Sequence, residues 1–187
     1  MSYRRGDVVE RALVVLDERG LDGLSMRRLA ADLGVQPGAL YHHVASRDAL
    51  LALVADELLA RGRRASEVVT WDAELRLAAA ELRAAMLACR DGAALVARVH
   101  ALGLGARGPE QRMADALRRA GAEDDLARVG ARSVMHYVFG HTADEQLQRA
   151  EARPAEGRPD GAPAEPSSGD FHLGLTLLLD GLAARLP

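Results

Sequence analysis

The chain has 187 residues, of which 49% are hydrophobic and 3% aromatic; that is ample material for a packed core, and the Ala- and Leu-rich, aromatic-poor mixture indicates an all-α protein. One cysteine, Cys89, excludes an intrachain disulfide framework and any cysteine-based metal spacing, and a buried structural thiol is expected there. A net charge of −3 excludes a uniformly basic nucleic-acid binder, so any such role must rest on a local surface.

Val9, Ala12, Leu13 and Leu16 recur at helical spacing and predict a first helix over 7–19, ended by Gly20. Ser25 is placed to cap a second short helix whose buried face is Leu29, Ala30 and Leu33, and Gly34 stops it. Pro37 suits the first position of a third helix over 37–44, after Gln36. Ser46 caps a longer fourth helix carrying Leu50, Leu53, Val54 and Leu58. Further helices are predicted over 72–89, 93–104, 109–120 and 124–149, the last with Leu126, Val129, Val134, Tyr137 and Val138 facing inward. Residues 151–169 hold four of the seven prolines and no large apolar side chain, so a flexible loop is expected. An apolar helix with Phe171, Leu175, Leu178, Leu179, Leu182 and Leu186 closes the chain.

No apolar run approaches the roughly 20 residues of a membrane span. The opening residues interleave acids with apolar side chains, unlike a secretory leader, so a cytoplasmic protein is expected. There is no Gly-rich phosphate loop, no paired-ligand metal spacing and no G-x-S-x-G elbow, so no enzyme activity, catalytic residue, cofactor or metal is expected.

Three short N-terminal helices with a tight Gly turn between the second and third read as a helix-turn-helix, whose third helix would enter the major groove of double-stranded DNA. Between Leu24 and Arg47 three arginines face a single acid, Asp32, so the acidity of the chain lies mostly elsewhere. The segment "GLDGLSMRRLAADLGVQPGALYHHVASRDAL" resembles the DNA-binding segment of the TetR family of bacterial regulators. The likeness is carried by Gly20, Ser25, Leu29–Ala30, Gly34–Val35, Gly38, Leu40–Tyr41, His43–Val44, Arg47 and Leu50. It implies that Ser25 and Arg27 meet phosphate or a base. Gln36, Pro37, Gly38 and Ala39 would face base edges, with His42 at the groove. Tyr41 and His43 would hold phosphates and Arg47 would clamp the DNA backbone.

The remainder is similar to the tetracycline-repressor-like branch. That resemblance implies a DNA-binding domain over 1–47 and, over 48–187, an α-helical ligand-binding and dimerisation domain joined to it by a long helix. It further implies a homodimer on a palindromic operator, released by a small-molecule effector. Candidate effector residues are Arg63, His100, His136, Tyr137, His141 and Asp144, with Leu82 and Met86 as apolar lining. Arg63 falls near a drug-contacting histidine of the tetracycline repressors, so an effector other than tetracycline is expected. Two other readings stay open: a helical ligand-binding or protein-interaction module that does not bind DNA, and a small α-helical enzyme.

Overall fold

The computed structural model describes residues 3–64, 68–151 and 168–187. Among them all regular structure is helical: α1 (Arg5–Gly23), α2 (Met26–Asp32), α3 (Pro37–Tyr41), α4 (Arg47–Gly62), α5 (Trp71–Leu87), α6 (Gly92–Ala101), α7 (Gly108–Arg119), α8 (Asp124–Glu151) and α9 (Ser168–Ala183). Over 152–167 the expected Pro-rich loop lies outside the described residues. No described helix is long and apolar enough to cross a membrane.

Packing groups the described residues into two compact units, 3–64 with 84–107 and 68–83 with 108–151 and 168–187. The helix-turn-helix is therefore not a packing unit by itself. α4 packs on both α1 and α6, and its buried Leu50, Leu51, Val54 and Leu58 share one core with Val8, Leu16, Leu95 and Val99.

In the first unit α1 buries Val8, Val9, Ala12, Leu13, Val15 and Leu16, a broader stripe than four residues because it touches both α2 and α4. Gly20 breaks the regular helix at φ 71° and ψ 179°, and one further turn follows. The Ser25 hydroxyl caps α2 by accepting from the Arg28 N–H at 3.2 Å, and Ser46 caps α4 by accepting from Ala49 at 3.1 Å. The third helix is shorter than predicted. After Tyr41 the N–H groups of His43 and Val44 both close on the Leu40 carbonyl at 2.9 Å, and the chain turns directly into the Ser46 cap.

Gly34 makes the turn between α2 and α3 at φ +66°, where a side chain is strained although no atom lies within 4 Å of a would-be Cβ. Gly34→Ala should therefore cost about 1–2 kcal/mol from backbone conformation alone. Urea unfolding measures this, and an unchanged midpoint would contradict it.

In the second unit α7, α8 and α9 pack together. α8 differs from the sequence reading in one respect. Val129 is 50% exposed, whereas Ala127, Gly130, Ala131, Val134 and Val138 form the buried stripe. The small residues face inward because neighbouring helices come close: a Cβ on Gly130 would sit 2.7 Å from a Leu182 methyl and 3.1 Å from one of Leu117. Gly174 plays the same part on α9, where a Cβ would overlap the Tyr137 hydroxyl.

Candidate nucleic-acid interface

α3 is held by two side chains and displays the rest. Leu40 and Val44 are 1% and 3% exposed and anchor the helix against the core of the first unit. Gln36, Pro37, Gly38, Ala39 and His42 are exposed, Tyr41 is 52% exposed and His43 half-buried. The predicted base-facing run is thus one continuous outward surface. Gly38 serves no internal purpose: its φ is not positive and nothing lies within 4 Å of a would-be Cβ. Glycine in a helix is less stable than alanine by about 0.5–1 kcal/mol, and nothing among the described residues offsets that cost at Gly38.

The arginines behave less uniformly. Arg27 at the start of α2 is exposed and has no partner among the described residues. Arg28 donates Nη1 to the Gly23 carbonyl at 3.1 Å. Arg47 donates Nε to Leu24 O and Nη2 to Leu21 O, both at 3.1 Å, and so fastens the start of α4 to the α1–α2 connection. The same Leu21 peptide donates its N–H to Asp91 Oδ2 at 2.8 Å. Asp91 stands at the N-cap of α6 in the left-handed region, φ 56°, and makes no side-chain cap bond to its own helix. A Cβ on Gly20 would overlap the Asp91 carboxylate, so glycine is required where these two segments meet.

Cys89 is 6% exposed and lies on a groove of about 580 Å³ formed by α1, α4 and the end of α5, with Arg63 at its edge. Burial, with the charges of Asp17 and Asp91, pushes its thiol up to about 11. Because the thiolate is the nucleophile, the native protein at neutral pH should react with iodoacetamide far more slowly than the unfolded chain. Equal rates would contradict this.

The expected effector residues fall in both units. Arg63, Met86 and His100 belong to the first; Leu82, His136, Tyr137, His141 and Asp144 belong to the second. Leu82 and Met86 are fully buried core, while His136 and Asp144 are exposed. Tyr137 and His141 do come together, with ring centroids 5.9 Å apart, and both meet Phe171, at 5.7 and 5.2 Å. The Tyr137 hydroxyl donates to the Phe171 carbonyl at 2.9 Å. Arg83 lies 5.1 Å from the centre of the Phe171 ring and forms a two-pronged bond with Glu145 at 2.9 and 2.8 Å. Both ring nitrogens of His141, the Thr142 hydroxyl and the Gln148 amide oxygen are buried without a hydrogen-bond partner among the described residues. Leaving such groups unpaired costs about 1–3 kcal/mol each, so this cluster is polar matter that a bound molecule or water would satisfy.

Residues 8–54 match the family described as "Bacterial regulatory proteins, tetR family", and residues 65–166 match "Tetracyclin repressor-like, C-terminal domain". The chain belongs to the TetR family. It is similar to the tetracycline repressor protein class A from transposon 1721 of Escherichia coli, at 34% identity over 95% of this chain and 89% of that one. BioQ, solved with its natural double-stranded DNA operator, is 36% identical and superposes with a TM-score of 0.82 over 98% of this chain and 99% of its own. ActR of Streptomyces coelicolor, solved with (S)-DNPA, is 29% identical, with a TM-score of 0.79 over 99% of this chain and all of its own.

For this TetR-family chain, sequence reasoning named the outward face of α3 but missed most of the polar cluster around His141. Phe171 was legible only as part of an apolar helix, and Arg83, Thr142 and Gln148 carried no signal at all. The i,i+4 spacing of Tyr137 with His141 and of His141 with Glu145 was the one clue.

Proposed function

We propose that the chain is a homodimeric transcriptional regulator that represses from a palindromic operator and is released from it by a small molecule. The observation that carries this reading is the outward face of α3, with Gln36, Pro37, Gly38, Ala39, Tyr41 and His42 exposed above a buried Leu40. In the proposed complex Gln36 to Ala39 face base edges and His42 sits at the groove, while Ser25, Arg27, Tyr41 and His43 meet the backbone. Arg47, expected to clamp the DNA backbone, is instead engaged with the Leu21 and Leu24 carbonyls and holds the start of α4 in place. Its regulator relatives give the DNA reading further support.

Dimerisation is supported by an apolar face with no partner among the described residues. Leu173 and Leu177 on α9 are 62% and 66% exposed, four residues apart. On α8 the exposed positions Val129, Ser133, His136, Gly140 and Leu147 follow one another at helical spacing. A second copy of the same face would cover both stripes, and a palindromic operator calls for two recognition helices about one DNA turn, ~34 Å, apart.

Among the expected effector residues, Tyr137 and His141 have the best support, joined by Phe171 and the Arg83–Glu145 pair. Leu82, His136 and Asp144 belong to the same unit as this cluster, whereas Arg63, Met86 and His100 belong to the other. The departure at Arg63 favours an effector other than tetracycline. A molecule that prefers the DNA-free spacing of the two helices shifts the population away from the operator. The chain then acts by binding rather than by turnover, in the cytoplasm with its DNA.

Selection of bound fragments from the genome, followed by footprinting, tests this reading. Two protected half-sites related by a dyad are expected. A single unpaired site, or no selected sequence, would contradict it.

A further inference from the structure

The DNA-facing surface around α3 is short of free positive charge. Of the three arginines between Leu24 and Arg47, Arg28 is bonded to Gly23 O and Arg47 to Leu21 O and Leu24 O, which leaves Arg27 alone unengaged. Phosphate contacts supply much of any protein's affinity for DNA, and each needs a donor that can reach outward.

Two such donors stand at the other end of the same helical motif. Arg4 and Arg5 are exposed at the start of α1, and among the described residues neither guanidinium is held in an ion pair, although Arg5 borders a groove that also holds Asp7, Glu10, Asp56 and Glu57. Their position is fixed from two sides. The Tyr3 hydroxyl donates to the Leu33 carbonyl at 2.8 Å, thirty residues away in sequence, at the residue that ends α2 and opens the turn into α3. The Arg4 N–H donates to Asp7 Oδ2 at 2.7 Å, closing the first turn of α1. One turn further on, Arg11 pairs with Asp32 at 3.2 Å and holds α1 along α2. The chain before α1 is thus tied to the point from which the recognition helix starts.

We propose that Arg4 and Arg5 form a second phosphate-binding element of the DNA surface, positioned beside the α2–α3 turn by Tyr3. This rests on the DNA-binding reading and extends it to residues outside the helix-turn-helix. Such contacts carry no base information, so they act on any duplex and do not require the operator to be known.

The test uses the full chain and a short duplex of arbitrary sequence, titrated across a range of salt. Arg4→Ala with Arg5→Ala is compared with wild type and with Arg98→Ala plus Arg107→Ala, which removes the same charge from α6 and the loop after it. The Arg4/Arg5 variant should keep its melting temperature and bind more weakly at low salt. Its log–log salt slope should fall by about 0.9 for each phosphate that is no longer neutralised. Arg4→Lys with Arg5→Lys should restore most of the affinity, and Tyr3→Phe should weaken binding while both arginines remain. Wild-type affinity and slope in the Arg4/Arg5 variant would overturn the proposal. So would an equal weakening in the Arg98/Arg107 variant, which would reduce the effect to net charge. A wild type that binds no duplex at any salt would overturn the DNA-binding reading itself, an outcome distinct from failure of the variants alone.

Discussion

Phe171→Ala should destabilise the second unit by about 3–5 kcal/mol, the range for deleting a buried aromatic ring. Phe171 is 1% exposed and occupies the centre of a ring cluster with Tyr137, His141 and His172. Removing it leaves a cavity and strips the Arg83 guanidinium of its aromatic partner, an interaction worth about 0.5–1 kcal/mol at exposed sites and about 2 kcal/mol when desolvated. It also bares Arg83 and Glu145, whose side chains are 16% and 6% exposed and whose pairing depends on exclusion of water. Calorimetry should show an earlier, broader transition. Phe171→Leu, which refills part of the volume, should recover about half of the stability. A change below about 1 kcal/mol for the alanine variant would mean that the cluster is already solvated.

Gly38→Leu should have the opposite profile: no loss of stability and nearly complete loss of DNA binding. The position is exposed, helical and free of any atom within 4 Å of the new Cβ, so the folded chain accepts the substitution and its helix propensity improves. On DNA the new side chain would project between the α3 backbone and the groove and hold the helix away from the bases. Hydrogen bonds to base edges need donor–acceptor distances near 2.7–3.2 Å. Displacement by the bulk of one leucine should cost at least about a hundredfold in affinity, near 2.7 kcal/mol. Gly38→Ala should fall between the two. A Gly38→Leu chain that binds as wild type would place the DNA-facing surface elsewhere.

These two sites differ in how much of them could be read beforehand. Around α3 the sequence was informative because each special residue has a local reason. Ser25 and Ser46 cap, Gly34 turns the chain at positive φ, and Pro37 opens a helix. Such signals act within a few residues, so spacing alone exposes them. What Arg47 does was not legible. Its guanidinium is taken up by two carbonyls more than twenty residues away, and only the folded chain brings them together.

α8 was misread for a related reason. Val129 is expected inward because it is large and apolar, and the small Gly130 and Ala131 give no such signal. The order is reversed because α7 and α9 approach so closely that only small residues fit between them, with Leu117 and Leu182 filling the space. Val129 is left on the outer face of the helix. Hydrophobic periodicity finds the apolar positions of a helix; which of two apolar faces meets its own chain is decided by the neighbours. The cluster around His141 was hidden in the same way, since its members come from α5, α8 and α9.

Sequence-specific reading of DNA by α3 is tested most directly by titrating purified protein against the DNA upstream of its own gene. The titration runs in excess non-specific competitor, with Gly38→Leu in parallel. Saturable binding that resists competitor and is abolished in the variant, with an unchanged melting temperature, is the expected result. Wild-type binding that competitor removes as readily as it removes random DNA would contradict sequence-specific recognition by α3.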